Sequence, residues 1–307
     1  MTNQLRLSLI ICTKDREAIL RQTLATVFQQ THLPDEIIIV DDGALDQGQI
    51  TGLIQQHQIP CHYVRKATPG LAASRNLGIQ HAQGDLILFL DDDVLLEPGY
   101  IAAMLDLFDT DPAGQIGGAT GTLQIDYAAG VRAFLRFFCL DGTTPGMILP
   151  SGSGILVRQG EITRTMPVQW LSGCNMIYRR QVFADFHFDQ RLGSYGWGED
   201  RDFSYRVGQR YRLMATPDAR LIHLKEPSGR IDNRRMGFME TNYLYRFFAK
   251  NMPKRLINWV ALSWAILGIM LRNLLLAAGR GRRSAAMMQL RGNCAGIQAI
   301  FTGKDYA

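Results

Sequence analysis

Three adjacent carboxylates, Asp91-Asp92-Asp93, follow the apolar run 86–90. Like charges this close repel unless a cation offsets them. Mg2+ or Mn2+ is typically held by one or two carboxylates together with substrate phosphates, so the triplet can present a metal to a diphosphate. It can equally be a solvated acidic loop ahead of the helix that Pro98 opens. Asp41-Asp42-Gly43 ends a second apolar run, 36–40. A carboxylate there can accept hydrogen bonds from a base or ribose, although Asp-Gly is also an ordinary turn. Glu199-Asp200 follows Gly196-Trp197-Gly198. One of these carboxylates can act as general base toward a hydroxyl, with Trp197 as an apolar wall for a ring. Acidic residues also favour the first turn of a helix. His223 can complete a metal site as a neutral imidazole, or simply pack inside a strand. Arg75 lies in 68–78, a stretch without Walker A or GxGxxG spacing. It can pair with an acidic loop or contact a nucleotide.

These residues need a frame that brings them to one edge. Residues 7–12, 36–40 and 86–90 are short β-rich apolar runs, and 62–64 is a weaker one. Helical spacing fills the gaps: 16–30 (Ile19, Leu20, Leu24, Val27, Phe28), 46–57, 71–82, and from Pro98 to about 108. Strands alternating with helices predict an α/β fold, a mostly parallel sheet with helices on its faces. Ligands bind such sheets beyond the carboxyl ends of the strands, and both acidic clusters fall there. Residues 126–165 read as irregular and contain an aromatic-rich stretch, 131–140, with Arg132 and Arg136. Order returns at 170–178. A helix is expected over 201–209, then two short strands, 211–215 and 220–224.

The net charge of +5 hides a split. Residues 1–227 hold 20 Lys+Arg against 25 Asp+Glu; residues 228–307 hold 13 against 3. A basic tail on an acidic body suggests an anionic partner for the tail. Its segment 256–271 carries no charge between Arg255 and Arg272, and apolar character continues through 274–278 before Arg280, Arg282 and Arg283. A membrane span takes about 20 apolar residues. Trp259, Trp264 and the basic flanks favour a helix lying on an anionic membrane surface through residues 254–283. The alternatives are a spanning helix with Arg272 snorkelling and a helix packed on the rest of the protein. No recognised nucleic-acid module is present, and no such partner is expected. A hydrophobic content of 47% excludes a disordered chain. Five scattered cysteines without a CxxC pair argue against a disulfide scaffold or zinc ribbon and for reduced thiols in the cytosol. The opening Met-Thr-Asn-Gln-Leu-Arg predicts no signal peptide.

Taken in order, the motifs resemble family 2 glycosyltransferases of the GT-A fold. The matching segments are Ser8-Leu9-Ile10-Ile11-Cys12-Thr13-Lys14-Asp15-Arg16, Val40-Asp41-Asp42-Gly43, Ser74-Arg75-Asn76 within 70–78, Phe89-Leu90-Asp91-Asp92-Asp93, Gly173-Cys174-Asn175 and Gly198-Glu199-Asp200. They cover about residues 5–225. Cys12 stands where the family often has proline, and Lys14-Asp15 where it often has Tyr-Asn. The resemblance implies that Thr13, Asp15, Asp42 and Arg75, with Asp91 and Asp92, surround a nucleotide. Asp91 and Asp93 would form the DxD element, Asp93 being the direct metal ligand, with His223 as a further ligand. Asp200 would be the general base, and Glu199 would position the acceptor or share that role. Trp170, Asn175 and Trp197 would wall the sugar and acceptor.

The activity so implied is an inverting transfer, dependent on Mg2+ or Mn2+. The sugar would pass from a nucleoside-diphosphate sugar to a hydroxyl of a glycan or lipid-linked acceptor. Cell-envelope polysaccharide or glycolipid synthesis, at the inner face of the cytoplasmic membrane, is the expected setting. The catalytic domain would be 1–227, with about 1–110 binding nucleotide and 111–227 binding acceptor, and 228–307 would be a basic, apolar helical tail. The alternatives are a glycoside hydrolase using paired carboxylates and a non-catalytic nucleotide- or lipid-binding module of the same fold.

Overall fold

The computed structural model describes residues 5–125, 127–192, 197–226, 231–279, 281 and 283–303. Gly196, Arg280 and Arg282 of the motifs above lie outside the described residues. The chain divides into two compact units: Met1–Ile125 with Leu156–Gly229, and Asp126–Ile155 with Arg230–Ala307. Residues 126–155, which the sequence groups with the catalytic part, thus pack with the C-terminal helices.

The first unit is built on one sheet. Strands β1 (Leu7–Thr13), β2 (Glu36–Asp41) and β3 (Cys61–Arg65) alternate with helices α1 (Glu17–Phe28), α2 (Gln47–Gln55) and α3 (Leu71–His81). Next come β4 (Leu86–Asp91), β5 (Val94–Leu96), α4 (Tyr100–Asp109) and β6 (Ile116–Gln124). Beyond 155 lie β7 (Met166–Val168), β8 (Asn175–Arg179), α6 (Glu199–Gly208) and β9 (Arg212–His223); the label α5 belongs to the second unit. The strand order is β3-β2-β1-β4-β8-β6-β9-β5, with β7 on β9. The strands β3, β2, β1 and β4 run parallel, as the alternation predicts.

A two-residue side-chain period divides these strands between two cores. Leu7, Leu9, Ile11, Ile37, Ile39, Leu86 and Leu88 pack on one face with Leu20, Leu24, Ile50 and Met104. Ile10, Ile38, Val40, Ile87 and Phe89 pack on the other with Ala72, Phe203 and Val207. Burial on both faces explains why the strands read as unbroken apolar runs.

Two features depart from expectation. The expected strands 211–215 and 220–224 are one strand, β9, whose register against β6 shifts between Thr120 and Thr122. Pro217 sits in that irregularity. Strand β6 itself is glycine-rich and gives no strand signal. Its glycines are required by close neighbours: a Cβ on Gly117 would lie 2.4 Å from the Tyr211 Cβ, and one on Gly121 would lie 2.2 Å from the Ala219 carbonyl oxygen.

The second unit is helical: α5 (Ala129–Phe137), α7 (Asn233–Asn251), α8 (Leu256–Ala278) and α9 (Arg283–Thr302). The aromatic stretch of the irregular middle is thus largely a helix, ending in Phe137 and Phe138, which pack on Trp264 of α8. Helices α7 and α9 meet backbone to backbone. A Cβ on Gly292 would lie 1.9 Å from the Arg234 carbonyl oxygen, and one on Gly237 2.0 Å from that of Gln289. The buried Asn293 donates to the Gly237 carbonyl at 2.8 Å and accepts from Asn273 at 2.8 Å. Arg272, which interrupts the apolar run of α8, donates to both carboxylate oxygens of Glu240 at 2.7 and 2.9 Å.

Candidate active site

Strand register brings the chemistry together. Cys12 of β1 pairs with Asp91 at the end of β4. The antiparallel strand β8 pairs Asn175 with Leu90 and so sets Cys174 beside that same end. Strand β9 pairs His223 with Val94, one residue beyond the acidic triplet. Helix α6 is preceded by its N-cap Gly198, whose φ of +77° suits glycine. Its first turn then carries Glu199, Asp200 and Asp202, where carboxylates are favoured.

Arg75 is the hub. It is buried on α3, donates to Glu199 Oε1, to the Gly173 carbonyl at 3.0 Å, and to Asp91 at 3.3 Å. Burial pulls its guanidinium down, but Glu199 and Asp91 outweigh this and hold the charge more firmly than usual. Burial pushes the Glu199 carboxyl up, against the pull of Arg75. Gly173 links the hub to the candidate base, for its N–H donates to Asp200 Oδ2 at 2.7 Å. Asp200 Oδ1 accepts from the Arg201 N–H at 2.7 Å. Glu199 therefore faces inward and Asp200 is held from its other side.

The triplet divides three ways. Asp91 is part-exposed; burial raises its carboxyl pKa while Arg75 and His223 oppose. Asp92 is buried, accepts from the Thr13 hydroxyl at 2.7 Å and from Arg16 at 2.9 Å, and is pushed up to about 6 by burial. Asp93 is buried 3.0 Å from His223 Nε2 and accepts from the Glu226 N–H at 2.9 Å. Burial would raise Asp93, but the His223 hydrogen bond prevails and lowers it. Burial pulls His223 down, yet Asp93, Cys174 and Asp91 push it up to about 11. The ligand atoms of Asp91, Cys174 and His223 lie within 4.8 Å of one another. A carboxylate, a thiol and an imidazole converging on one point fit a divalent cation. Asp93, expected as the direct ligand, lies 3.0 Å from the same His223 Nε2 that is 4.0 Å from Asp91.

The remaining expected residues are placed as follows. Asp42 accepts from the Gly70 N–H at 2.8 Å and the Ser74 hydroxyl at 2.7 Å, so it ties β2 to the start of α3. Asp15 is exposed, takes φ +55° and accepts from the Ala44 N–H at 3.0 Å. A Cβ on Gly43 would lie 2.8 Å from the Asp15 backbone nitrogen, so the close approach of these loops favours glycine. Trp170 is buried beside Thr120, Gly121 and Ser172, and Trp197 is half-buried. Asn175 has no exposed surface; its Oδ1 accepts from the Tyr100 hydroxyl and from the Gly121 N–H at 3.1 Å. Its Oδ1 thus ties β6 and α4 together from inside. Arg16 and Cys174 belong to the motif segments, but the sequence implies no role for either. Only the pairing of distant strands brings them to the triplet.

Residues 8–186 match the family described as Glycosyl transferase family 2. The chain belongs to that family. It is 29% identical over 248 residues to hyaluronan synthase of Pasteurella multocida, covering 73% of this chain and 25% of that protein. It is 25% identical over 248 residues to the uncharacterized glycosyltransferase YwdF of Bacillus subtilis (strain 168), covering 80% of this chain and 84% of that one. The chain thus spans a quarter of the Pasteurella protein. Among solved structures, GalNAc-T7 with UDP, GalNAc and Mn2+ superposes with a TM-score of 0.60 at 18% identity, over 87% of this chain and 55% of that one. The mannosyltransferase PcManGT from Pyrobaculum calidifontis, in complex with GDP-Man and Mn2+, gives 0.59 at 15% identity, over 99% and 89%. The fold is GT-A.

Proposed function

We propose that the chain moves a sugar from a nucleoside-diphosphate sugar to an acceptor hydroxyl, inverting the anomeric centre and depending on Mg2+ or Mn2+. One observation carries the reading: Arg75 joins the strand-end Asp91 to Glu199, and Gly173 joins Arg75 to Asp200. Thr13, Asp15 and Asp42, at the ends of β1 and β2, frame the nucleotide. Asp200 takes the proton of the acceptor hydroxyl, whose oxygen attacks the anomeric carbon from the face opposite the nucleotide. Asp91 and His223 would hold the cation, which when bound offsets the charge gathering on the departing diphosphate. The mannosyltransferase bound to GDP-Man and Mn2+ supports such a donor and metal. Hyaluronan synthase as a relative supports a glycan acceptor. A carboxylate-pair hydrolase fits less well, because Glu199 is committed to Arg75 and Asp93 to His223.

The full chain, given nucleoside-diphosphate sugars, Mn2+ and a cell-envelope extract, should release nucleoside diphosphate saturably, and chelator should abolish the release. Nucleotide binding unchanged by chelator would remove the metal from the reading. Glycoside cleavage without any nucleotide would reinstate the hydrolase.

The same reading places the enzyme on the inner face of the cytoplasmic membrane, serving envelope polysaccharide or glycolipid synthesis. Among the described residues, every exposed large hydrophobic except Leu33 and Leu224 lies in the second unit. On α8 these are Leu256, Ile257, Trp259, Val260, Trp264, Leu267, Leu274, Leu275 and Leu276. The helix is long and apolar enough to cross a membrane. Its other face, however, packs through Leu262, Ala265 and Ile269 on Leu244 and Phe248 of the charged helix α7. This arrangement favours a helix lying in the interface. The exposed pair Val260→Glu and Leu267→Glu should leave the fold intact. It should weaken binding to anionic liposomes at least tenfold, since each apolar side chain no longer buried forfeits ~1.5–3 kcal/mol. Unchanged co-sedimentation would remove this face from the reading.

A further inference from the structure

A thiol is an unusual neighbour for a site expected to serve Mg2+. Cys174 is buried at the start of β8, with Sγ 3.4 Å from the Ser172 hydroxyl. Its place follows from register, because Asn175 pairs with Leu90 and leaves Cys174 level with the end of β4. Its Sγ lies within 4.8 Å of ligand atoms of both Asp91 and His223. Among the described residues this trio is the one grouping of three such side chains close enough to share an ion. His223 Nε2 lies 3.0 Å from Asp93 and 4.0 Å from Asp91, so two carboxylates hold the imidazole at the end of β4.

We propose that Cys174 is a direct ligand of the divalent cation, sharing it with Asp91 and His223, and that it biases the site away from Mg2+ toward softer cations. This rests on the metal-dependent reading above. Mg2+ demands oxygen ligands in near-ideal octahedral geometry. Thiolate and imidazole ligands instead favour Zn2+, Co2+ and their neighbours, and tolerate Mn2+. On binding, the Cys174 thiol and the His223 imidazolium each give a proton to solvent, and metal–sulfur and metal–nitrogen bonds form; nothing is oxidised or reduced. The remaining coordination positions are left to the diphosphate and water.

The test uses the full chain, free of nucleotide, titrated with Co2+. The wild type should develop a near-ultraviolet thiolate-to-cobalt charge-transfer band that saturates at one equivalent. Cys174→Ser should lose that band and bind Co2+ at least about tenfold more weakly, while circular dichroism reports an unchanged fold. Cys174→Ala serves as a second variant should serine disturb the packing. Nucleotide binding by the wild type should also be supported better by Mn2+ than by Mg2+, with the gap narrowed in Cys174→Ser. A band that persists in Cys174→Ser would come from Cys12, Cys61, Cys139 or Cys294 and would overturn the proposal. Equal Co2+ affinity in wild type and variant would overturn it while leaving Asp91 and His223 as metal ligands. No Co2+ or Mn2+ binding by the wild type, with or without nucleotide, would overturn the metal reading itself.

Discussion

Asp200→Asn should lower transfer by about 10²–10⁴-fold while nucleotide affinity changes little. Nucleoside-diphosphate release measures the first, and calorimetry with the nucleotide and Mn2+ measures the second. The asymmetry follows from what each group contacts. Asp200 accepts from the backbone N–H of Gly173 and of Arg201, one on each oxygen, both at 2.7 Å. Each oxygen retains a second lone pair for an acceptor hydroxyl. An amide keeps one acceptor oxygen and cannot take up the proton. Its NH2 must also face one of the two backbone donors, which costs about 1–3 kcal/mol locally. The variant should therefore melt slightly earlier, and the rate should be read with the protein fully folded. Turnover near the wild-type rate would exclude Asp200 as the base. A parallel collapse of nucleotide affinity would mean that the loop at Gly173 had moved.

The first strands are legible because their physics is local. β1, β2 and β4 are buried on both faces, so composition alone marks them, and the carboxylates that end them mark the binding edge. β6 is illegible for the opposite reason. Its glycines look like breakers, yet each answers to a neighbour distant in sequence, Tyr211 or Ala219. The site shows the same division. Asp91 and Asp200 announce themselves by type and position, whereas their connection does not. Arg75 and Glu199 are 124 residues apart. Cys174 reaches Asp91 only because β8 inserts antiparallel beside β4. Asn175 carries a motif position but no surface, and its contacts to Tyr100 and Gly121 appear only once β6 and α4 are placed.

Arg75→Leu should cost about 3–5 kcal/mol of stability, read by urea unfolding, because it removes one partner of a buried ion pair and leaves the other charge uncompensated. Arg75 and Glu199 each show 3% side-chain exposure, so solvent cannot take over the lost contact. Glu199 Oε2 already lacks a hydrogen-bond partner, and without the guanidinium the carboxylate must take up a proton or draw in water. Asp91 loses its cation as well, and the Gly173 carbonyl loses its donor. Arg75→Lys should recover only part, because an ammonium is a point charge and cannot span three acceptors with a planar fork. The double variant Arg75→Leu with Glu199→Leu should be more stable than Arg75→Leu alone, since it removes the stranded charge together with its partner. A single-variant loss under about 1 kcal/mol would place this pair in the surface class instead. The same hub fixes the predicted kinetics. Gly173 offers its carbonyl to Arg75 and its N–H to Asp200, so slackening the hub releases the base as well. Arg75→Lys, where it folds, should then lose turnover more than it loses nucleotide affinity.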